Sequence, residues 1–240
     1  MKIFGFHHQF LFPLLMIVMG LMAITSGADD FLQLQNPRTF TLADQKTVTL
    51  KVMDWNEQKK KFHVENDKGR RVWVSPNSFV EEDQLYFKAW IQAYWFLSNN
   101  KLYVSAKKAE RGGYISYTVS VQNKTPVDYS KVNMHYEVER IIDQYETGET
   151  KDTNVPGKIF VGLIKSGAQK TFKTQAVKAG ETYEMVHTSE PTRVMSGVGY
   201  TYTNRVQRKT GKQKVTGIRL KFHGPMLDNT RIIREVNLNK

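Results

Sequence analysis

Tyr114-Ile-Ser-Tyr-Thr-Val-Ser-Val-Gln122 is the stretch whose reading decides the fold. Ile115, Tyr117, Val119 and Val121 alternate with Ser116, Thr118 and Ser120, so one side is apolar and the other hydroxylic. Successive side chains leave a strand on opposite faces, and a period of two in β-prone residues therefore predicts a half-buried strand. Asn123-Lys-Thr-Pro126 supplies a turn, and Val132 to Arg140 repeats the alternation through Met134, Tyr136 and Val138. Further strands are predicted at Lys158 to Ile164, Lys170 to Ala176, Glu181 to His187, Arg193 to Thr203, Lys214 to His223 and Thr230 to Leu238. Turn signals at Ser166-Gly167, Ala179-Gly180 and Thr210-Gly-Lys212 separate them. Some eight short strands with no helical period predict an antiparallel β-sandwich over residues 101–240. Asp143 to Pro156 is polar and aperiodic, which predicts a long exposed loop. Asn204 to Gln213 reads as a basic hairpin tip.

Upstream, residues 36–98 have a different texture: several short strands and then a helix. Arg38 to Thr41 is a candidate strand, and Lys46 to Trp55 places Val48, Leu50 and Val52 on one face. Phe62 and Val64 point one way in the next strand, and Asn66-Asp-Lys-Gly69 turns the chain, because glycine tolerates the positive φ of such turns. Arg70 to Ser75 returns with Val72 and Val74 inward. Ser78 and Glu81 have the spacing of a helix capping box. Phe79, Tyr86, Trp90, Ala93 and Leu97 share one side of the helix that follows, and Tyr94, Trp95 and Phe96 predict an aromatic seam against the sandwich. Asn99-Asn100 ends the helix. The reading is mainly β: a small SH3-like barrel with a C-terminal helix, followed by a sandwich.

This first region resembles SLA1 homology domain 1 (SHD1), an SH3-like module recurring in exported proteins of planctomycete and verrucomicrobial type. The residues that carry the resemblance are Arg38 to Thr41, Val48 to Val52, Phe62-His-Val64, Gly69, Val72-Trp-Val74 and Glu81-Glu-Asp83 followed by Tyr86. The family usually has glycine after the first aspartate, where this chain has Gln45, and serine before the Glu-Glu-Asp run, where it has Val80. The resemblance implies a binding or scaffolding module with no assigned ligand.

Met1 to Ala28 reads as an export signal. Lys2 is the only formal charge before Asp29, Phe10 to Ile24 is almost wholly apolar, and Ser26 and Ala28 are small at the two positions that signal peptidase requires. The alternative is a retained anchor, for which about 15 apolar residues are short of the roughly 20 that span a bilayer. With no cysteine there is no disulfide, thiol nucleophile or lipid-modified cysteine. The expected location is the periplasm or the exterior.

Charge is unevenly spread. The chain has 35 Lys+Arg against 23 Asp+Glu. Residues 29–98 balance at 10 of each, residues 99–240 have 24 against 13, and residues 193–240 have 11 against 2. A surplus on one module predicts attraction to an anionic partner. Arg205, Arg208, Lys209 and Lys212 are the best local candidates for the anion contact. Nucleic acid is disfavoured by compartment and by the lack of a recognition motif.

Residues for chemistry are sparse. His63, His135, His187 and His223 are far apart in sequence, each within a predicted strand. No His-Glu-x-x-His, paired cysteine or nucleophile elbow occurs, and Ser196-Gly-Val-Gly199 reads as a turn or bulge. Glu137 and Glu139 fall on one strand face. No catalytic, cofactor or metal residue is assigned, and no cofactor is expected. The leading expectation is a non-catalytic exported protein that binds an envelope protein, peptide or acidic polymer. The alternative is attachment to anionic glycan or membrane surface through the basic sandwich, and the third is an envelope hydrolase.

Overall fold

A computed structural model describes residues 28–189 and 203–239. The predicted signal, the predicted strand from Arg193 and the Ser196 to Gly199 segment lie outside these residues, apart from Ala28 and Thr203. Within them the chain is mainly β, with antiparallel sheets and one α-helix.

A 3-10 segment, Ala28–Leu34, leads into four strands: β1 (Arg38–Thr41), β2 (Thr47–Asn56), β3 (Lys61–Asn66) and β4 (Arg71–Val74), paired in chain order. Helix α1 (Glu81–Leu97) packs Tyr86, Phe87 and Trp90 into the core with Phe40, Phe62 and Phe79, and Phe40 and Phe87 stack at 5.0 Å. As expected, Gly69 turns the β3–β4 hairpin at φ +73°. Val72, however, is 38% exposed: it faces the same way as Val64 but lies on β4, the edge strand of the sheet.

The capping box does not form. Pro76–Ser78 makes a 3-10 turn of its own, and the residue that caps α1 is Val80, which has no side-chain bond to give. Glu81, Glu82 and Asp83 in the first turn offset the helix dipole instead. Asp83 is buried and accepts the Thr41 amide at 2.6 Å, tying the helix start to the end of β1.

The remaining strands form two sheets. β5 (Leu102–Arg111), β6 (Tyr114–Asn123), β9 (Gln169–Lys173) and β10 (Val177–Lys178) make one, with β6 central. β7 (Tyr129–Gln144), β8 (Thr150–Ile164), β11 (Gly180–Ser189), β12 (Thr203–Leu227) and β13 (Thr230–Asn239) make the other. Val104, Val119 and Val121 of the first join Met134, Val138, Ile218 and Leu220 of the second in one apolar core.

Two predicted irregular segments are strand. Asp143 to Pro156 is the end of a long β7–β8 hairpin, whose turn is only Tyr145 to Glu149. It lacks an apolar period because most of its residues are exposed, so neither face had to be hydrophobic. Asn204 to Gln213 is not a hairpin tip either: it lies inside β12, paired with β11. Gly211 is not a turn residue. A Cβ there would stand 2.3 Å from the Asp143 carbonyl oxygen, so the glycine serves close strand approach.

Of the three aromatic residues predicted to form a seam, Phe96 meets the second sheet, whereas Tyr94 packs on Phe31 and Trp90 of the first region. Phe96 is buried edge-on against Tyr129, and the Gly224 backbone lies so close that a Cβ there would be 2.4 Å from the Phe96 ring. Arg234, also fully buried, donates to the carbonyls of Phe96 (3.1 Å) and Leu102 (2.5 Å) and to Asn99 Oδ1. It thus places a cation at the negative end of the α1 dipole. Burial pulls its guanidinium down to about 10, against an opposing pull from Asp30. Arg38 also crosses the seam, with one nitrogen 2.5 Å from Asp228 and its guanidinium carbon 4.5 Å from the centre of the Tyr86 ring.

Candidate anion-binding site

β12 has three irregularities of register, and the two against β11 and β7 decide where its cations point. Against β11 the register slips at Thr210; against β7 it slips at Thr216. Basic side chains follow at 205, 209, 212, 214, 219, 221 and 223, and the only odd intervals, 209 to 212 and 214 to 219, each contain a bulge. Each extra residue restores the phase, so all seven share the outer face while Val215, Ile218, Leu220 and Phe222 stay buried. Of the four residues singled out in the sequence, Arg205, Lys209 and Lys212 lie on this face. Arg208 points the other way, opposite Glu184.

Carboxylates of neighbouring strands pair three of the cations on that face, while Arg205, Lys212 and Lys214 make no ion pair with a described residue. Lys209 pairs with Glu181 and has its ammonium 5.6 Å from the Tyr145 ring centre. Its charge and the Tyr183 hydroxyl hold the Glu181 carboxyl below the usual carboxylate range. Arg208 reaches Glu146 at 3.3 Å on the opposite side. Arg219 bridges Glu139 (2.8 Å) and Glu137 (3.5 Å), so the two glutamates that share a strand face clamp a cation. Lys221 pairs with Glu235 at 2.7 Å. The four predicted residues therefore do not converge on one open anion site.

The outer face of the other sheet differs. Tyr103, Ser105, Lys107, Ala109 and Arg111 of β5 lie beside Gln122, Ser120, Thr118, Ser116 and Tyr114 of β6. Gln169, Thr171 and Lys173 of β9 and Lys178 of β10 continue the rows. No acidic residue occupies any of these positions, and Lys107, Arg111, Lys173 and Lys178 make no ion pair with a described residue. Lys124 stands 5.4 Å from the Tyr103 ring centre at one end. The signal was present in the opening stretch: the serines and threonines that alternate with its apolar residues are this face.

The histidines are not all apart. His135 and His223 lie 4.7 Å apart across β7 and β12, a proximity set by register, to which sequence distance is blind. Burial holds His223 below its ordinary value, helped by His135, Lys221, Arg231 and Lys158. His63 stacks on Trp73 at 4.8 Å. Among the described residues, no three His, Cys, Asp or Glu side chains are grouped to hold a metal. Between the two sheets, Ala106, Lys108, Tyr117, Lys214, Val215 and Leu238 line a cleft of about 230 Å³.

No protein-family model matches the chain, and no curated protein matches it.

Proposed function

We propose that this chain is a non-catalytic, exported binding protein of the cell envelope, with an SHD1-like module before a sandwich that holds an anionic partner. The observation that carries the reading is the acid-free cationic face of the β5–β6–β9–β10 sheet. Along β12, Lys209, Arg219 and Lys221 are paired with carboxylates, whereas the positions in register beside Lys107, Arg111, Lys173 and Lys178 carry no acidic side chain. Uncompensated like charges on one face raise the local concentration of a polyanion.

Two features favour the SHD1-like reading of the first region. Gln45 has a left-handed backbone at the position where that family carries glycine. Asp83, the last residue of the Glu-Glu-Asp run, joins the helix to β1. Export rests on the composition of residues 1–28. Among the described residues, no helix is long and apolar enough to cross a membrane.

Co-sedimentation of the purified protein with envelope material over a salt series tests the reading. Retention is expected to fall steeply towards 1 M salt, where the screening length is about 3 Å. Retention indifferent to salt removes the anionic partner. N-terminal sequencing of the secreted form, expected to begin near Asp29, tests export separately.

A further inference from the structure

We infer that the acid-free face is a trough for a single chain of acidic polysaccharide, a site that deepens the anionic-partner reading and rests on it. Its floor is β6, whose outward side chains are the short Ser116, Thr118 and Ser120. Its walls are longer: Lys107 and Arg111 on the β5 side, Lys173 and Lys178 on the other. Strands lie about 4.8 Å apart, so the walls stand roughly 10 Å apart at the backbone, and the floor from Tyr114 to Gln122 runs about 26 Å. That is the form of a slot for an extended polymer.

Its chemistry suits sugars. Ser116 is buried, so the floor offers the half-buried Thr118 and Ser120 hydroxyls, which both donate and accept as sugar hydroxyls do. Of these, Ser120 already accepts from Gln169 at 2.6 Å. Tyr103 and Tyr114, 40% and 50% exposed at the two ends, offer flat rings to the C–H faces of pyranoses and a hydroxyl at the rim. The Arg111 fork matches a carboxylate in two parallel bonds, and the lysines supply point charges. A bilayer is the poorer occupant. Surface attachment to lipid uses inserted Trp, Phe or Leu side chains, and this face has none.

The test uses the purified protein with three probes: alginate, a polymer of uronic acids; dextran, a neutral polysaccharide; and vesicles of phosphatidylglycerol. Alginate is expected to bind, dextran to bind at least about tenfold more weakly, and vesicles weakly or not at all. Replacing Lys107, Arg111, Lys173 and Lys178 together by glutamine should weaken alginate binding about tenfold or more and flatten its salt dependence. The control removes the same charge elsewhere, with Arg205, Arg208, Lys209 and Lys212 all changed to glutamine, and should stay within about twofold. Tyr103→Ala with Tyr114→Ala should lower affinity and leave the salt slope alone. Thermal melts confirm that each variant folds. If the control variant loses as much as the trough variant, or vesicles outbind alginate, the trough is wrong while the anionic-partner reading stands. If neither alginate nor vesicles bind, that reading falls as well.

Discussion

Gln45 holds a left-handed backbone, φ +68°, where an L side chain crowds its own carbonyl. Glycine relieves that crowding and gives back part of the gain as unfolded-state entropy. Gln45→Gly should therefore stabilise the protein by about 0.5–1 kcal/mol, read as a raised midpoint in urea or heat. Arg234 is the opposite kind of residue, since its guanidinium satisfies carbonyls that no water can reach. Arg234→Met keeps the bulk and leaves the Phe96 and Leu102 oxygens without this donor, so a loss of about 3 kcal/mol is expected in chemical denaturation. His223 adds a pH dependence. Its folded value lies below the ordinary 6.5, so the unfolded chain takes up the proton first as pH falls. The stability it confers is complete above about pH 6.5 and declines below that. Melting temperatures between pH 7.5 and 5.5 should drop less for His223→Gln than for the parent, and parallel curves would refute this.

The start of α1 lacks a side-chain cap because Val80 stands at that position. Val80→Ser should supply the missing acceptor and add about 1 kcal/mol, visible as a higher melting temperature with unchanged circular dichroism. Elements of this size were legible in the sequence wherever one face is buried and the other wet. β6, β7 and the buried side of α1 follow their apolar periods, and Phe79, Tyr86, Trp90, Ala93 and Leu97 are all in the core. Legibility failed where burial gives no pattern. The β7–β8 hairpin end is exposed on both sides, and the N-terminal part of β12 projects beside β11 with Val206, Tyr183 and Met185 all uncovered. The bulges were invisible for another reason. An extra residue is defined only against a partner strand, so the basic intervals along β12 acquire meaning once the register is known. The acid-free face was missed because charge was counted along the chain, whereas its cations come from β5, β9 and β10 and meet only across β6.

At the scale of the molecule, the barrel-like region and the sandwich share one apolar core, fastened by Phe96, Arg234 and Arg38. All four tryptophans, Trp55, Trp73, Trp90 and Trp95, lie in the first region, so their fluorescence reports on it, while circular dichroism is dominated by the sandwich strands. The two probes should melt together. Gly224→Ala forces a methyl against the buried Phe96 ring and should lower both midpoints in step, by about 2 kcal/mol. A fluorescence transition separate from the circular dichroism transition would show that the seam does not couple the halves.

The same seam sets a timetable. Gln33 exchanges hydrogen bonds with the backbone of Ile233, 200 residues away, and Asp30 accepts the Glu235 amide over a separation of 205. Contacts that close such long loops form late and slow the search for the native state. The Gln33 and Asp30 bonds therefore wait for β13, although α1 already holds the same segment through Trp90 and Tyr94, and the helix end waits with them for Arg234. A chain whose first described segment and last strand lock together only at the end stays open until β13 is made, a property that suits the export proposed above.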